Sequence, residues 1–424
     1  MSSDEGRCND MVERLTRGGT VRYHKPRLQN YMTIGITDDT LASLPWSVGR
    51  PKSTRPHDAA THLGGIEALR CFAAVMIVIY HTVEIPRIAV PSYLNVIKTH
   101  FGMGVPLFYT LSGFVLAYGY MESLGTRKQI IEFYIRRFFR IAPLFYVMLG
   151  TWIVFSKLKW EHFSVSYTDV ALNLTLLFGL VPGRHISIVW AGWSIGIEVL
   201  FYIVFPIFTV LLMSIRFAVI ALCISLLVSS MEFRALTNLN VGSYAFMNLI
   251  THLPFFISGI LAYLVWRGDN FSTRRVLGSS IFIGVLSIAA LLVYSPMVYT
   301  FLVAIPGVML GLYIWALVFA ALILSICYSS NPVVVNRVTR HLGRASFSMY
   351  LLHPLIIVAS ADLYKILDRA LGVGVLGLVG RILWTLSVVS AVASLSYLVI
   401  EKPAMRFGRN VAKNYRARGS SVVE

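Results

Sequence analysis

Ten apolar runs, most of them close to the length that a helix needs to cross a bilayer, divide this chain and constrain its fold more than any other feature. A helix of about 20 residues spans the ~30 Å hydrocarbon layer of a membrane. The chain is 56% hydrophobic and only 13% charged, whereas charged residues make up about 25% of a soluble domain. The sequence therefore predicts an all-α, polytopic bundle of transmembrane helices. The predicted spans cover residues 66–84, 101–121, 141–157, 193–213, 217–231, 245–266, 276–294, 302–328, 346–363 and 377–400.

The basic residues favour one orientation of this bundle. With the N-terminus in the cytoplasm, the segments on that side carry 27 Lys and Arg residues, and the loops on the other side carry eight. This asymmetry matches the positive-inside rule and predicts that both termini are cytoplasmic. The apolar run at 169–181 is too short for a comfortable crossing, so we expect an interfacial or re-entrant segment there. As an eleventh span it would place the basic clusters at 267–275 and 329–345 outside.

Polar segments flank the membrane-spanning part, which is predicted to cover residues 62–408. Residues 1–61 are basic and lack hydrophobic periodicity, which predicts a disordered cytoplasmic tail, and residues 409–424 form a second basic tail. The net charge of +17 occurs as short clusters between apolar runs, which is typical of cytoplasmic loops rather than of nucleic-acid binding. The four cysteines show no metal-ligand spacing, so no metal is expected.

Arg70 and His81 lie on one face of the first predicted span. Eleven steps of about 100° bring them into line, with a rise of roughly 16 Å between them. Ionisable side chains inside a membrane are costly and usually serve a function. His81 is a candidate general base, because an imidazole exchanges protons near neutral pH. The alternative is a histidine at the outer interface, with Arg70 extending to the inner headgroups.

Three arginines, Arg136, Arg137 and Arg140, lie at the predicted cytoplasmic mouth of the third span. Two of them are three residues apart and so are neighbours on a helix. Guanidinium groups bind phosphate with two parallel hydrogen bonds, so these residues are candidates for holding a phosphate-bearing donor such as coenzyme A. Topology signalling and contact with lipid headgroups explain the same cluster equally well.

The fourth span begins with a polar and aromatic motif that contains Trp193, Ser194 and Glu198. Glu198 lies about one turn inside an apolar helix, where a carboxylate indicates a function. It could orient the histidine of the first span or bind an acceptor hydroxyl. Trp190 and Trp193 also suit the plainer role of interface anchors. His353 is a second intramembrane histidine, for which a structural hydrogen bond to a neighbouring helix is the simpler explanation.

Together and in this order, these motifs resemble those of the acyltransferase-3 family of integral membrane acyltransferases. The resemblance covers roughly residues 62–408. The matching segments are Arg70 with His81 ten residues further on, Arg137-Phe-Phe-Arg140, Leu107-Phe108 through Ser112-Gly113-Phe114, Trp193-Ser194 with Glu198, and Tyr350 with His353.

The resemblance implies transfer of an acyl group, usually acetyl, from cytoplasmic acyl-CoA to a hydroxyl of an extracytoplasmic carbohydrate. Acceptors of the family include exopolysaccharide, O-antigen and lipochitin oligosaccharide, and the expected location is the cell inner membrane, with partner proteins of glycan assembly. Some members carry a further hydrolase domain of SGNH type after the last helices. Without such a domain, we expect this chain to modify its acceptor directly or to pass the acyl group to another protein.

The resemblance also implies roles for individual residues. His81 would act as a general base or, in the alternative, carry the acyl group itself, and Arg70 would line the donor route and stabilise charge on the thioester or on the donor. Arg136, Arg137 and Arg140 would hold the phosphates of the acyl-CoA donor. Glu198 would lie at the outer vestibule, and Trp193, Ser194 and His353 would contact the acceptor.

Two readings from other functional classes remain open. A secondary transporter would also place Arg, His and Glu inside the membrane, but it usually shows repeat-related spans with broken helices, and no such repeat is visible in the sequence. A non-catalytic scaffold for polysaccharide assembly would tolerate alanine at Arg70, His81 or Arg137.

Overall fold

The computed structural model describes residues 56–160, 164–268, 274–295, 310–329 and 331–418. The chain is helical within these ranges, and they contain no strand. Most of the predicted N-terminal tail lies outside the described residues. The α-helices are α1 (Pro56–Glu84), α2 (Val96–His100), α3 (Gly104–Tyr120), α4 (Arg127–Lys159), α5 (Tyr167–Thr175), α6 (Trp193–Leu211), α7 (Ile215–Asn238), α8 (Leu249–Gly268), α9 (Arg274–Tyr294), α10 (Leu310–Tyr328), α11 (Arg337–Arg344), α12 (Ser346–Ala359), α13 (Ala361–Leu371), α14 (Val375–Ser396) and α15 (Lys402–Arg418).

The predicted all-α transmembrane bundle is confirmed. Nine helical segments in the described part of the chain are long and apolar enough to cross a membrane. A tenth span arises if α11 and α12, which meet at a 73° bend, count as one broken span. Each predicted span corresponds to one of these segments, although residues 302–309 of the eighth lie outside the described residues. The chain is thus a multi-pass membrane protein.

The short run at 169–181 does not form a membrane-spanning helix. The α5 helix has nine residues, and it ends at Leu176, whose φ of 60° is left-handed. Ser166 caps its N-terminus by accepting from the backbone N–H of Asp169 at 3.1 Å. The hydroxyl of Ser166 and the guanidinium of Arg184 both donate to the Asp169 carboxylate and lower its pKa. These contacts tie the start of α5 to the loop that follows it.

Helix α1 lies at the centre of the bundle, where it packs against α3, α10, α11, α12 and α14. Close crossings require glycine at two of these contacts. A Cβ on Gly343 of α11 would lie 1.7 Å from the carbonyl oxygen of Glu67. A Cβ on Gly104 of α3 would lie 2.6 Å from the carbonyl oxygen of Ala73. Small residues let backbones approach in this way, and here they hold the neighbouring helices against the stripe of α1 that bears the ionisable residues.

Helices α3 and α8 form an equally close pair. A Cβ on Gly113 would lie 2.1 Å from the carbonyl oxygen of Phe256, and one on Gly259 would lie 2.0 Å from that of Thr110. The small residues in the segment from Leu107 to Phe114 therefore serve close helix packing. This pair fixes the position of α3, and with it the polar side chains that α3 directs toward α6.

The predicted third span, 141–157, is shorter than the helix that contains it. Helix α4 starts after a capping box at Thr126 and Gln129 and runs for 33 residues. Arg136, Arg137 and Arg140 therefore lie within a continuous helix and not in a loop that precedes it. The last span likewise continues past residue 400, through a π-helical turn at Tyr397–Glu401 into α15, which packs against α4.

Candidate active site

His81 and His353 lie in direct contact, and we call them the histidine pair. Nε2 of His353 is 2.9 Å from Nδ1 of His81, and the ring centroids are 4.8 Å apart. His353 is fully buried, whereas His81 is partly exposed. His353 lies on α12 and His81 lies on α1, so the contact depends on the packing of these two helices.

The hydrogen-bond pattern of the histidine pair assigns its tautomers. Nδ1 of His353 lies 3.2 Å from the carbonyl oxygen of Met349, which can only accept, so this nitrogen carries the proton. In a neutral ring the other nitrogen then accepts, and Nδ1 of His81 must donate to it. The same Nδ1 lies 3.2 Å from the carbonyl oxygen of Ile77. The lone pair of the neutral His81 ring is therefore on Nε2, the nitrogen that a general base needs.

Arg70 makes the second polar contact between the same two helices. Its Nε donates to the hydroxyl of Ser346 at 3.2 Å, and its guanidinium lies 5.9 Å from the ring centre of Phe108. Because Arg70 precedes His81 on α1 and Ser346 precedes His353 on α12, the two helices run parallel. Arg70 and His81 of α1 thus both contact the same partner helix, α12.

Next to the histidine pair, Tyr350 and Ser194 link α12 to the start of α6. The hydroxyl of Ser194 donates to that of Tyr350 at 2.7 Å, and Tyr350 donates to the carbonyl oxygen of Ala191 at 2.8 Å. The ring of Tyr350 lies 5.7 Å from that of His353. Ser194, a predicted substrate contact, is therefore buried in a structural hydrogen bond one residue away from the histidine pair.

Trp193, the second predicted substrate contact, is part of an aromatic group. Its ring lies 5.9 Å from that of His252 and 6.1 Å from that of Phe246. Trp190, the other predicted anchor, stacks on Trp152 of α4 at 5.4 Å. Both tryptophan rings thus pack against aromatic side chains of other parts of the chain.

Glu198 contacts neither histidine among the described hydrogen bonds and ion pairs. Its Oε1 accepts from the hydroxyl of Ser112 at 3.1 Å and from that of Tyr202 at 2.5 Å. The side chain that contacts His81 is thus His353 and not Glu198 among the described hydrogen bonds. Glu198 also lies within electrostatic reach of Arg70. We call Ser112, Glu198 and Tyr202 the Glu198 network.

Arg137 joins this network from α4. Its NH2 group donates to the hydroxyl of Tyr120 at 3.2 Å, and its guanidinium lies 5.3 to 5.9 Å from the ring centres of Tyr120, Phe133 and Tyr202. Since Tyr202 binds Glu198, one tyrosine connects the arginine with the carboxylate. The sequence placed these two groups at opposite ends of the site, and the structure brings them together.

Arg140 and Arg136 face elsewhere. Arg140 forms an ion pair with the buried carboxylate of Glu401 at 2.6 Å, and Glu401 also accepts from the backbone N–H of Ser348 at 3.1 Å and from its hydroxyl. Arg136 pairs with Glu132 at 3.7 Å. The three predicted phosphate ligands therefore have three different direct partners, although Arg140 and Glu401 lie within electrostatic reach of Arg70, as Glu198 does.

Glu401 is the clearest polar residue of this region that the sequence did not single out for a role. In the sequence it lies at the end of the last apolar run and before Lys402 and Pro403, a position typical of a span boundary. The available signal was a carboxylate at the end of an apolar run in a chain with many more arginines than acids. No three His, Cys, Asp or Glu side chains come together as a metal site among the residues that the structure describes.

Comparisons with known proteins identify the family of the chain. The sequence profile of the acyltransferase domain Acyl_transf_3 matches residues 63–401. A Bacillus subtilis (strain 168) protein, described as "Putative peptidoglycan O-acetyltransferase YrhL", is 26% identical over 385 residues, which are 81% of this chain and 55% of that protein. The chain thus spans about half the length of the curated relative that it matches. No solved structure matches the chain.

Proposed function

Because the chain belongs to the acyltransferase-3 family, we propose that it is a membrane O-acyltransferase that moves an acetyl group from cytoplasmic acyl-CoA to a hydroxyl of an extracytoplasmic carbohydrate. The family assignment supports acyl transfer, and the similarity to a protein named as a peptidoglycan O-acetyltransferase supports acetyl as the group and a glycan as the acceptor. The inner membrane is the proposed location, since the donor and the acceptor are on opposite sides of it.

The histidine pair is the observation that carries this proposal. In an O-acyl transfer, a base must remove the proton of the acceptor hydroxyl as its oxygen attacks the thioester carbon. Nε2 of His81 takes that proton, and the ring becomes an imidazolium. His353 accepts the hydrogen bond from Nδ1 of His81, holds the ring in the reactive tautomer and interacts more strongly with it once it is charged. His353 is thus a positioning residue.

The reaction closes when the same proton leaves His81. The tetrahedral intermediate collapses, its carbon–sulfur bond breaks, and the sulfur of CoA receives the proton from Nε2. The products are an acylated hydroxyl and a free thiol, and the imidazole is neutral again. Direct transfer needs no covalent acyl-enzyme, so it is preferred here over a route in which His81 carries the acyl group.

Arg70 and Arg137 are the proposed donor-side cations. Arg70 lies roughly 16 Å along α1 from His81, so it acts on the donor route and not on the reacting carbonyl. Arg137 presents its guanidinium within an aromatic group that holds it in place. Glu198 lies within electrostatic reach of Arg70 and is joined to Arg137 through Tyr202, so this one carboxylate offsets part of the cost of holding cations inside the membrane.

Arg140 and Arg136 receive revised roles in this proposal. Arg140 is neutralised by Glu401, so it holds α4, α12 and α15 together rather than binding phosphate directly. Arg136 pairs with Glu132 and provides at most a peripheral positive field for the donor. Trp193 and Ser194 shape the wall beside the histidine pair, and their contact with the acceptor stays a proposal.

Mass spectrometry of surface glycans, from host cells with and without the gene, tests the proposed function. We expect one glycan species to lose the mass of one or more acetyl groups when the gene is deleted and to regain it on complementation. Acetyl-CoA-dependent labelling of the same glycan in isolated membranes should be lost in parallel. Unchanged glycans together with gene-dependent uptake of a labelled solute would support the transporter alternative instead.

A further inference from the structure

A cavity of about 320 Å³ opens one helical turn beyond the histidine pair. Its lining includes Ile85, four residues after His81, and Ile357, four residues after His353. Four residues of helix rise about 6 Å, so the cavity lies about one helical turn from the proposed base, and a sugar chain that occupies it can extend to His81. In the predicted orientation the cavity faces the extracytoplasmic side, where the acceptor arrives.

Three cationic side chains line this cavity, which we call the outer cationic cavity. They are Lys159 at the end of α4, Lys365 in α13 and Arg381 in α14. Among the described residues that line the cavity, none carries a carboxylate. Three cations from three different helices therefore converge on a space next to the base, together with the apolar side chains of Ile85 and Ile357.

Nearby acids balance only part of this charge. Arg381 forms an ion pair with Asp368, and both of its guanidinium contacts go to that carboxylate. Lys365 pairs with Asp362 at 2.7 Å, where both side chains are exposed and the pair is weak. Two acids thus pair with two of the three cations, and neither acid belongs to the lining.

Lys159 is the cation that lacks such a partner in the described part of the chain. Its Nζ donates to the carbonyl oxygen of Val358 at 3.2 Å and lies 5.4 Å from the ring centre of Phe155. The carboxylate of Asp362 acts on it only at longer range. The contact with Val358 holds the ammonium at the rim of the cavity, where it attracts an anion.

We propose that the outer cationic cavity binds an anionic oxyacid group, a carboxylate or a phosphate, that the acceptor glycan carries next to the hydroxyl to be acylated. This inference rests on the proposed function. Lys159, Lys365 and Arg381 contact the anion, while the apolar lining packs against a sugar ring. Fixing the anion one turn from His81 orients the neighbouring hydroxyl toward the histidine pair, which favours acidic over neutral acceptors.

Binding to two matched pairs of probes tests this site without requiring acyl transfer. The full-length protein in phosphatidylcholine nanodiscs is titrated with a hexuronate tetramer and its methyl ester, and with glucose 1-phosphate and methyl glucoside. We expect at least one anionic probe to bind about tenfold more tightly than its neutral counterpart. The preference should fall as salt concentration rises.

The double variant Lys159→Gln/Lys365→Gln should lose that preference, because it removes the two exposed cations and leaves the Arg381 ion pair intact. Lys157→Gln is the matched control: it removes a charge near the same end of α4, does not line the cavity, and should bind as the wild type does. Equal binding of charged and neutral probes by the wild type, or equal losses in the control and the double variant, would overturn the proposal.

A phospholipid headgroup offers the same phosphate chemistry. A second set of nanodiscs distinguishes a bound lipid from a bound acceptor. In nanodiscs that contain phosphatidylglycerol, an acceptor site still binds the anionic sugar. Protection of the cavity by phosphatidylglycerol, with no binding of either anionic sugar in phosphatidylcholine, would assign the cavity to lipid and contradict an acceptor subsite. Because these readouts are equilibrium binding, they stand or fall independently of whether the protein transfers acetyl groups.

Discussion

Nε2 of His353 lies 2.9 Å from Nδ1 of His81, although the two residues are 272 positions apart in the chain. The contact forms because α1 and α12 run parallel and meet twice, once through the histidine pair and once through Arg70 and Ser346. Its direction is fixed by the backbone carbonyl that accepts from His353. An imidazole held in this way presents one defined nitrogen to the acceptor.

Replacing His353 should separate positioning from structure. His353→Ala removes the acceptor for Nδ1 of His81, so we expect kcat to fall about 10²-fold with little change in KM for acyl-CoA. His353→Gln keeps an acceptor oxygen and should recover a large part of that loss. Steady-state kinetics on proteins of equal abundance and melting temperature measures both. A wild-type rate for the alanine variant, or equal losses for the two variants, would contradict the assigned role.

The ion pair between Arg140 and Glu401 should stabilise the protein far more than a surface pair does. Glu401→Gln leaves the arginine charge without its partner, and breaking a buried pair in this way costs about 3–5 kcal/mol. Thermal unfolding in detergent should show a clear drop in melting temperature. The double variant Arg140→Gln/Glu401→Gln should lose less than the sum of the two single variants. Asp362→Asn, in an exposed pair, serves as the control and should melt as the wild type does. Additive losses would argue against the pair.

The crossing of α3 and α8 should not accept a methyl group. Gly113→Ala or Gly259→Ala places a Cβ about 2 Å from a backbone oxygen of the other helix, and overpacking of this kind costs about 1–3 kcal/mol. Gly119→Ala, in the same helix as Gly113 but with no atom within 4 Å of the new Cβ, should leave stability unchanged or slightly raised. Melting temperatures compare the three. Equal effects at Gly113 and Gly119 would mean that the helices are further apart.

The ion pair between Asp169 of α5 and Arg184 should make the stability of the protein depend on pH. Hydrogen bonds from Ser166 lower the pKa of Asp169, and the hydrogen bond and positive charge of Arg184 lower it further. A lowered pKa in the folded state contributes stability above the ordinary aspartate value, and this contribution is lost as the pH falls through the lowered pKa. We therefore expect Asp169→Asn to melt below the wild type at neutral pH and to match it in strong acid. A difference that persists at low pH would point to packing rather than charge.

The sequence predicts the spans well because hydrophobic length is a local property. The small residues around Gly113 also predict a close helix contact correctly, since only glycine permits that approach. The sequence does not predict which helix packs against the face of α1 that bears Arg70 and His81. Glu198 and His353 were both available partners for His81, and the choice depends on contacts between helices that are far apart in the chain.

The arginine motif shows the same limit. Its spacing predicts neighbouring side chains on one helix, yet Arg137 lies against Tyr202 and Arg140 against Glu401. The π-helical turn at Tyr397–Glu401 sets that second contact, and no local pattern in the last span indicates it. Composition therefore identifies the ionisable groups of the site, and tertiary packing determines which of them act together.

The role of His81 as the base is tested by transfer of isotopically labelled acetyl from acetyl-CoA to the host glycan. Wild-type membranes are compared with His81→Ala membranes that hold an equal amount of the protein. We expect labelling to fall at least about 10²-fold in the variant, because the hydroxyl has lost its base. Labelling at the wild-type rate in the His81→Ala membranes would contradict this role.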